Sequence, residues 1–403
     1  MGDAVAPVGA HSPDPILNGL LSQLFEGSDW IGDPIKVTWA NHRGSSAASS
    51  RHSAEDQPGS DGSQLVDWGV GRFGQQPTAL HEALVLIVQR QIRLALEADP
   101  HRLHLHGALI GDVGERHHRV LLLGASGAGK STMAAQLVHL GLGYATDEMV
   151  AVDADCSVEA VRKPLKLRHG AKAHYPNLES LVDPLLRGVI GDVPIAPDAG
   201  QWLGEGRTHL SDVVLLSRHD AGPGCPEPCP ELQRVPAVTM TRRMAENAFD
   251  FSRFGVGRSL LNLARLAAST QCWELSYCDS QRSAPMLAGL VGHRRSKPGS
   301  RRSAPPSTSA RTSPVPPEPI VLVGDGSVGA VGGSLVGLRV GDAGLVCRPD
   351  PPEHVLVELN DQAFDVWQLG RLGLTPGEIS SKTGLPPDTV LACLSTLRES
   401  DLL

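Results

Sequence analysis

The sequence has no apolar stretch approaching the ~20 residues that a membrane-spanning helix needs. Its first residues, Met1-Gly-Asp-Ala-Val-Ala-Pro7, lack the basic start and apolar run of a signal peptide. They also lack the Ser or Thr at position 6 expected of a myristoylation site. There is no basic surplus: the net charge of −8 and pI near 6.0 argue against nucleic acid or an anionic membrane as the main partner. Cysteine is sparse, seven residues in all, with one close pair at Cys225 and Cys229. No second pair follows at zinc spacing, so a reduced, cytoplasmic protein without a metal knuckle is expected. What the chain does have is bulk. Its 403 residues, 41% of them apolar, suffice for two or three domains with real cores.

The strongest local signal runs from Gly124 to Ser131, G-A-S-G-A-G-K-S, a full match to G-x-x-x-x-G-K-[ST]. Gly124, Gly127 and Gly129 let the backbone curl so that N–H groups, including those of Ala125, Ser126 and Ala128, line a nest for polyphosphate oxygens. Lys130 supplies a mobile cation for the terminal phosphates, the Ser131 hydroxyl can ligate Mg²⁺, and Thr132 closes the loop. The flanks agree. Val120–Leu123 suits a buried parallel strand, and Met133–Leu140 a helix whose positive end faces the phosphates. ATP and Mg²⁺ are therefore the expected cofactors.

A second motif, Y-A-T-D-E-M-V-A-V-D, places Asp147-Glu148 seventeen residues beyond Lys130. One helix and a turn would return these carboxylates to the γ-phosphate, to complete a Mg²⁺ site or accept a proton. Upstream, His104 and His106 of L-H-L-H-G share one face if this is a strand, and His106 is a candidate at the sheet's active edge.

The rest divides by composition. Residues 1–78 hold a strand around Ile35–Trp39 and a Ser/Gly/Asp-rich stretch, 45–64, expected to be disordered. Residues 79–292 read as an α/β domain. A helix is expected over Ala79–Glu97 and one strand over Leu103–Ile110. Further strands are expected at Met149–Val152, Val213–Leu216 and Trp273–Ser276, and a helix at Ser259–Ala268. Residues 293–319 form a basic Pro/Ser-rich linker. Residues 320–403 read as a small α+β module of winged-helix type, with β-type sequence at Leu335–Val346. Its three helices lie near Asp361–Leu369, Thr375–Thr383 and Asp388–Glu399.

The stretch from His106 to Asp153, together with Arg162-Lys-Pro-Leu-Lys-Leu167, resembles the HPr serine kinase/phosphorylase family and its divergent relatives found beside peptide-modification genes. The resemblance implies a phosphoenolpyruvate-carboxykinase-like α/β domain that phosphorylates a Ser hydroxyl with ATP, and a Ser or Thr acceptor is expected here. It also implies Asp147 as acid/base, His106 as an active-site histidine, Lys130 on the phosphates and Ser131 on Mg²⁺; the acidic turn itself makes Asp147 and Glu148 further candidate Mg²⁺ ligands. Arg162, Lys163 or Lys166 would offset transition-state charge. Glu148 replaces a second Asp of the full HPr enzymes and their downstream signature has no copy here, so phosphorolysis is not implied. The parent family's hexamers leave a homo-oligomer open.

The C-terminal module, with L-N-D-Q-A-F-D-V-W from Leu359 to Trp367, L-T-P-G-E-I from Leu374 and L-R-E-S-D-L-L at the end, resembles the PqqD family. That implies capture of the leader of a ribosomally made precursor peptide, of lasso type by analogy, as a strand added to a sheet edge. Phe364, Trp367 and Leu369 are expected in the core. A DNA-reading helix-turn-helix is the rival for Thr375–Glu399. Eight acids against Arg371, Lys382 and Arg398 between positions 351 and 403 disfavour it. An ATP-binding peptide chaperone and a nucleotide-responsive DNA-binding regulator stand beside the kinase as alternatives.

Overall fold

The computed structural model describes residues 102–113, 118–167, 201–203, 206–219, 230–249, 251, 255–292, 335–350 and 353–403. It also gives short strands at 10–11, 35–39, 64–67, 77–78, 193–195 and 320–323 and helical residues at 87–89, 92 and 96–97. Of the stretch 45–64 expected to be disordered, residues 45–63 lie outside the described residues and Gln64 instead opens a strand; the linker 293–319 and the Cys225/Cys229 pair also lie outside them.

Four short strands, Ala10–His11 (β1), Ile35–Trp39 (β2), Gln64–Asp67 (β3) and Pro77–Thr78 (β4), make a small N-terminal sheet in the order β1-β2-β3-β4. Leu103–His106 (β5) and Ala108–Gly111 (β6) then replace the single strand expected over 103–110, and they belong to different sheets. Gly107 makes the change possible: a Cβ there would lie 2.8 Å from Leu121 Cδ1 and 2.9 Å from the Leu122 carbonyl. The chain crosses from one sheet to the next hard against the following strand, and only a residue without a side chain fits.

The main sheet contains β6, Arg119–Leu123 (β7), Gly143–Thr146 (β8), Asp212–Arg218 (β14), Glu231–Arg234 (β15) and Gln271–Tyr277 (β16), in the order β15-β16-β14-β7-β6-β8. β7, β14 and β16 run parallel, while β6, β8 and β15 join antiparallel. Two smaller sheets complete the region. One takes β5, Met149–Val152 (β9), Ser157–Ala160 (β10) and Thr208–His209 (β13); the other pairs Leu165–Leu167 (β11) with Val193–Ile195 (β12).

Both faces of the main sheet are covered, which is why β7 reads as an unbroken apolar run. Its residues alternate between two cores. Val120 and Leu122 pack with Val214, Leu216 and Tyr277 under the helices Lys130–His139 (α1) and Ser280–Gly292 (α4). Leu121 and Leu123 pack with Val213 and Leu215 under Ala237–Glu246 (α2) and Val256–Ser269 (α3). The result is a three-layer α/β domain. No described helix is long and apolar enough to cross a membrane.

The C-terminal region is a four-stranded antiparallel sheet, Ile320–Val323 (β17), Val336–Val340 (β18), Ala343–Asp350 (β19) and Glu353–Asn360 (β20). Three helices follow: Asp361–Arg371 (α5), Pro376–Thr383 (α6) and Pro387–Glu399 (α7). The helices form where the sequence puts its caps. The Asn360 side chain accepts from the Ala363 N–H at 2.8 Å, and Thr375 with Glu378 forms a capping box. Phe364 and Trp367 are buried as expected, and Leu369 packs partly buried beside them. The Trp367 indole N–H donates to the Leu402 carbonyl at 2.9 Å, which ties the chain's last residues down.

The sheet has a second partner that the sequence did not reveal. Leu338, Val340, Leu345 and Cys347 enter the same core as α2 and α3. The Thr239 hydroxyl donates to Glu358 at 2.9 Å. The C-terminal sheet is therefore sandwiched between its own helices and those of the larger domain. Gly344 is the tightest point, since a Cβ there would run into the Phe364 ring. Gly344→Ala is expected to cost about 1–3 kcal/mol through overpacking. Equilibrium denaturation would measure the loss, and wild-type stability in that variant would show that the ring has room to move.

Candidate functional site

The phosphate-loop sequence forms the turn between β7 and α1. Gly124, Gly127 and Gly129 have φ of +152°, +85° and +87°, values that side-chain-bearing residues rarely adopt. Gly124 is also hemmed in: a Cβ would lie 2.9 Å from the Leu216 carbonyl. Gly129 is the N-cap of α1, and neither a capping side chain nor an acidic residue occupies the first turn. The positive end of the helix is thus left to a ligand. Lys130, largely buried, folds its ammonium onto the loop's own carbonyls, Gly124 O at 2.7 Å and Ala125 O at 3.4 Å.

β8 and the turn after it carry the acidic pair back to this loop. Asp147 is buried and accepts hydrogen bonds from the Tyr144 hydroxyl (2.9 Å) and the Lys163 ammonium, and the Ser131 hydroxyl also favours its charged form. Burial would raise its carboxyl, but the Lys163 charge and these three groups outweigh burial and hold it below the ordinary aspartate value. Glu148 is more exposed, with Oε2 3.9 Å from Lys163 Nζ.

His106 ends β5, half buried, its ring 5.6 Å from that of Phe249. Its pKa is lowered, first by burial and then by the Lys130 charge, with Glu148 and Asp147 pulling the other way. The imidazole is accordingly biased toward its neutral form. The backbone after α2 is strapped to β5: the His106 N–H donates to the Asn247 carbonyl at 2.7 Å, and the Phe249 N–H to the His104 carbonyl at 2.9 Å. A cleft of about 320 Å³ opens here, between Ala125 and Ser126 at the loop tip, His106 and Leu215, Arg243 and Glu246 of α2, and Phe249 just after that helix.

Of the expected residues, Lys130, Ser131, Asp147, Glu148 and His106 meet at one place. Thr132 lies on the other side of the loop, in a narrow crevice with Arg218 and Tyr277. Among the three basic candidates only Lys163 touches the acidic pair. The Arg162 guanidinium, buried, donates to the Leu203 carbonyl and holds backbone instead. Sequence reasoning missed Tyr144, Phe249 and Tyr277. Tyr144 stands three residues before Asp147 in the quoted motif. The other two carry no local signal: the sheet order brings Tyr277 in, and the segment after α2, strapped to β5, brings Phe249.

Among the described residues no group of three or more His, Cys, Asp or Glu side chains could hold a metal ion. Any cation here would rest on hydroxyl and carboxylate oxygens at the loop, a donor set suited to Mg²⁺.

No family model matches the chain, and no curated protein matches it. Among solved structures, the HPr(Ser) kinase/phosphatase from Coxiella burnetii matches at 11% identity, covering 48% of this chain and 95% of that one, with a TM-score of 0.24. That superposition is too loose to assign a family. The α/β class rests on the sheet order and layers of the chain itself.

Proposed function

We propose that this protein is an ATP-dependent kinase of the cytoplasm that phosphorylates a Ser or Thr hydroxyl of a ribosomally made precursor peptide, held by a PqqD-like C-terminal module. The carrying observation is the buried carboxylate of Asp147, seventeen positions beyond Lys130, held ionised by Lys163 with help from the Ser131 hydroxyl of the phosphate loop. A loop that merely bound anions would need no such partner.

The oxygens of Ser131, Asp147 and Glu148 would hold Mg²⁺, which would offset charge on the transferring group. Lys130 would exchange the Gly124 and Ala125 carbonyls for phosphate oxygens. The acceptor hydroxyl would enter the cleft between Ser126 and His106, lined on its far side by Phe249. Asp147, kept ionised by Lys163, is a weak base suited to orienting that hydroxyl and taking its proton late, as a loose transition state requires. The neutral His106 could accept a hydrogen bond from the same hydroxyl.

The route for the peptide follows α2. One end of this helix meets β20 through Thr239 and Arg242 on Glu358; the other reaches the cleft through Glu246. Seven helical residues span about 10 Å. A leader added as a strand at the edge of the C-terminal sheet would therefore place its core segment within a few residues of the cleft.

Mass spectrometry of candidate precursor peptides encoded beside the gene, after incubation with protein and Mg·ATP, tests this reading. One added phosphate is expected, and Asp147→Asn should abolish it while ATP is still bound. Tight peptide binding with no phosphate gained would favour the chaperone instead.

A further inference from the structure

We propose that Tyr277, outside every motif of this chain, is a positioning residue that sets the phosphate loop for polyphosphate; the proposal rests on the nucleotide-binding reading above. Tyr277 is the last residue of β16, two strands away from β7. Its ring is 1% exposed and packs in the core with Ala284 and Leu287 of α4. Its backbone is fixed as well, paired with Arg218 and accepting the His219 N–H at 2.9 Å. From this rigid seat the phenol donates a 2.6 Å hydrogen bond to the Ala128 carbonyl, inside the phosphate loop.

That bond has a geometric consequence. In a planar trans peptide the carbonyl of one residue and the N–H of the next point in opposite directions. Holding the Ala128 carbonyl on Tyr277 therefore turns the Gly129 N–H away from the core, toward the open side of the loop. Gly129 itself lies against the phenol, where a Cβ would strike the hydroxyl oxygen. Without this anchor the 128–129 peptide is free to flip, because glycine at φ +87° has an easy alternative at negative φ. A flipped peptide would point a carbonyl at the phosphates where a donor is needed. Burial pushes the phenol pKa up to about 12, so the donor keeps its proton across the neutral range.

Tyr277→Phe tests this with the loss of one oxygen and no loss of ring packing. Titration calorimetry with Mg·ATP and with inorganic tripolyphosphate is the measurement, beside a melting curve for each protein. Affinity for both ligands is expected to fall roughly three- to tenfold, as for one lost hydrogen bond. The equal loss with tripolyphosphate, which has neither base nor ribose, is the outcome a merely structural role would not produce at unchanged melting temperature. Wild-type affinity in the variant would overturn the role of Tyr277 and leave nucleotide binding intact. A loss confined to Mg·ATP would overturn it too, placing the hydroxyl on the nucleoside. A wild-type protein that binds neither ligand would overturn the nucleotide reading itself, and this inference with it.

Discussion

Lys163→Met should destabilise the fold by about 3–5 kcal/mol at neutral pH, the cost of leaving a buried charge without its partner. The Lys163 and Asp147 side chains are 3% and 2% exposed, so the carboxylate cannot turn to water when the ammonium is removed. Tyr144 would still donate to it and the Ser131 hydroxyl would still favour its charge, but neither group is itself charged. The pH dependence follows from the direction of the shift. In the wild type Asp147 sits below its ordinary value, so it adds stability above the ordinary aspartate range and loses it as pH falls through the depressed value. In the variant burial is opposed only by the two uncharged hydroxyls and the carboxyl rises. The folded variant then binds a proton more readily than the unfolded chain and gains stability on acidification. The gap between the two proteins should therefore be widest near about pH 7 and narrow toward about pH 4. Denaturant unfolding at both values checks this, and a gap independent of pH would mean that the pair is not what Lys163 contributes. Adding Asp147→Asn to Lys163→Met should recover much of the loss, because the buried charge is then gone.

Lys130→Ala is expected to lower phosphotransfer by at least about a hundredfold, the usual cost of one group aimed at developing charge. The effect should fall on nucleotide binding as well. Lys130 lies within the loop, and its ammonium is a short swing from any phosphate that displaces the Gly124 and Ala125 carbonyls. Folding should lose at most about 1–3 kcal/mol, the cost of leaving the buried Gly124 carbonyl without its donor. Phosphate incorporation, Mg·ATP affinity and melting temperature, measured together, separate these outcomes. Undiminished turnover in the variant would remove the loop from the reaction. The His106 pKa supplies a cross-check: with the Lys130 charge gone, one of the two largest causes of its lowering disappears, and the imidazole should titrate higher.

Much of the site was legible in the sequence because its parts are local. Three glycines, a lysine and a serine within eight positions dictate a loop whatever lies around it, and the strand-helix flanks fall where the apolar pattern puts them. Asp147 could be placed near that loop because one ten-residue helix and a turn leave the returning chain little choice. The three helices of the C-terminal region fall near the stretches read from the sequence, and Asn360, Thr375 and Glu378 cap two of them.

The sequence by itself thus determined the phosphate loop, the acidic turn and the periodic elements, all of which rest on contacts between near neighbours. Tertiary structure decided the rest. Gly107 splits one apolar run into strands of two sheets because β7 passes too close for a side chain. Lys163, not Arg162, faces Asp147, a choice between adjacent residues that only the turn into β11 makes. Phe249 reaches His106, Tyr277 reaches Ala128, and the C-terminal sheet packs on α2 and α3, each through contacts between residues more than sixty positions apart. Such contacts are set by which strands pair and which faces meet, and no spacing along the chain records that.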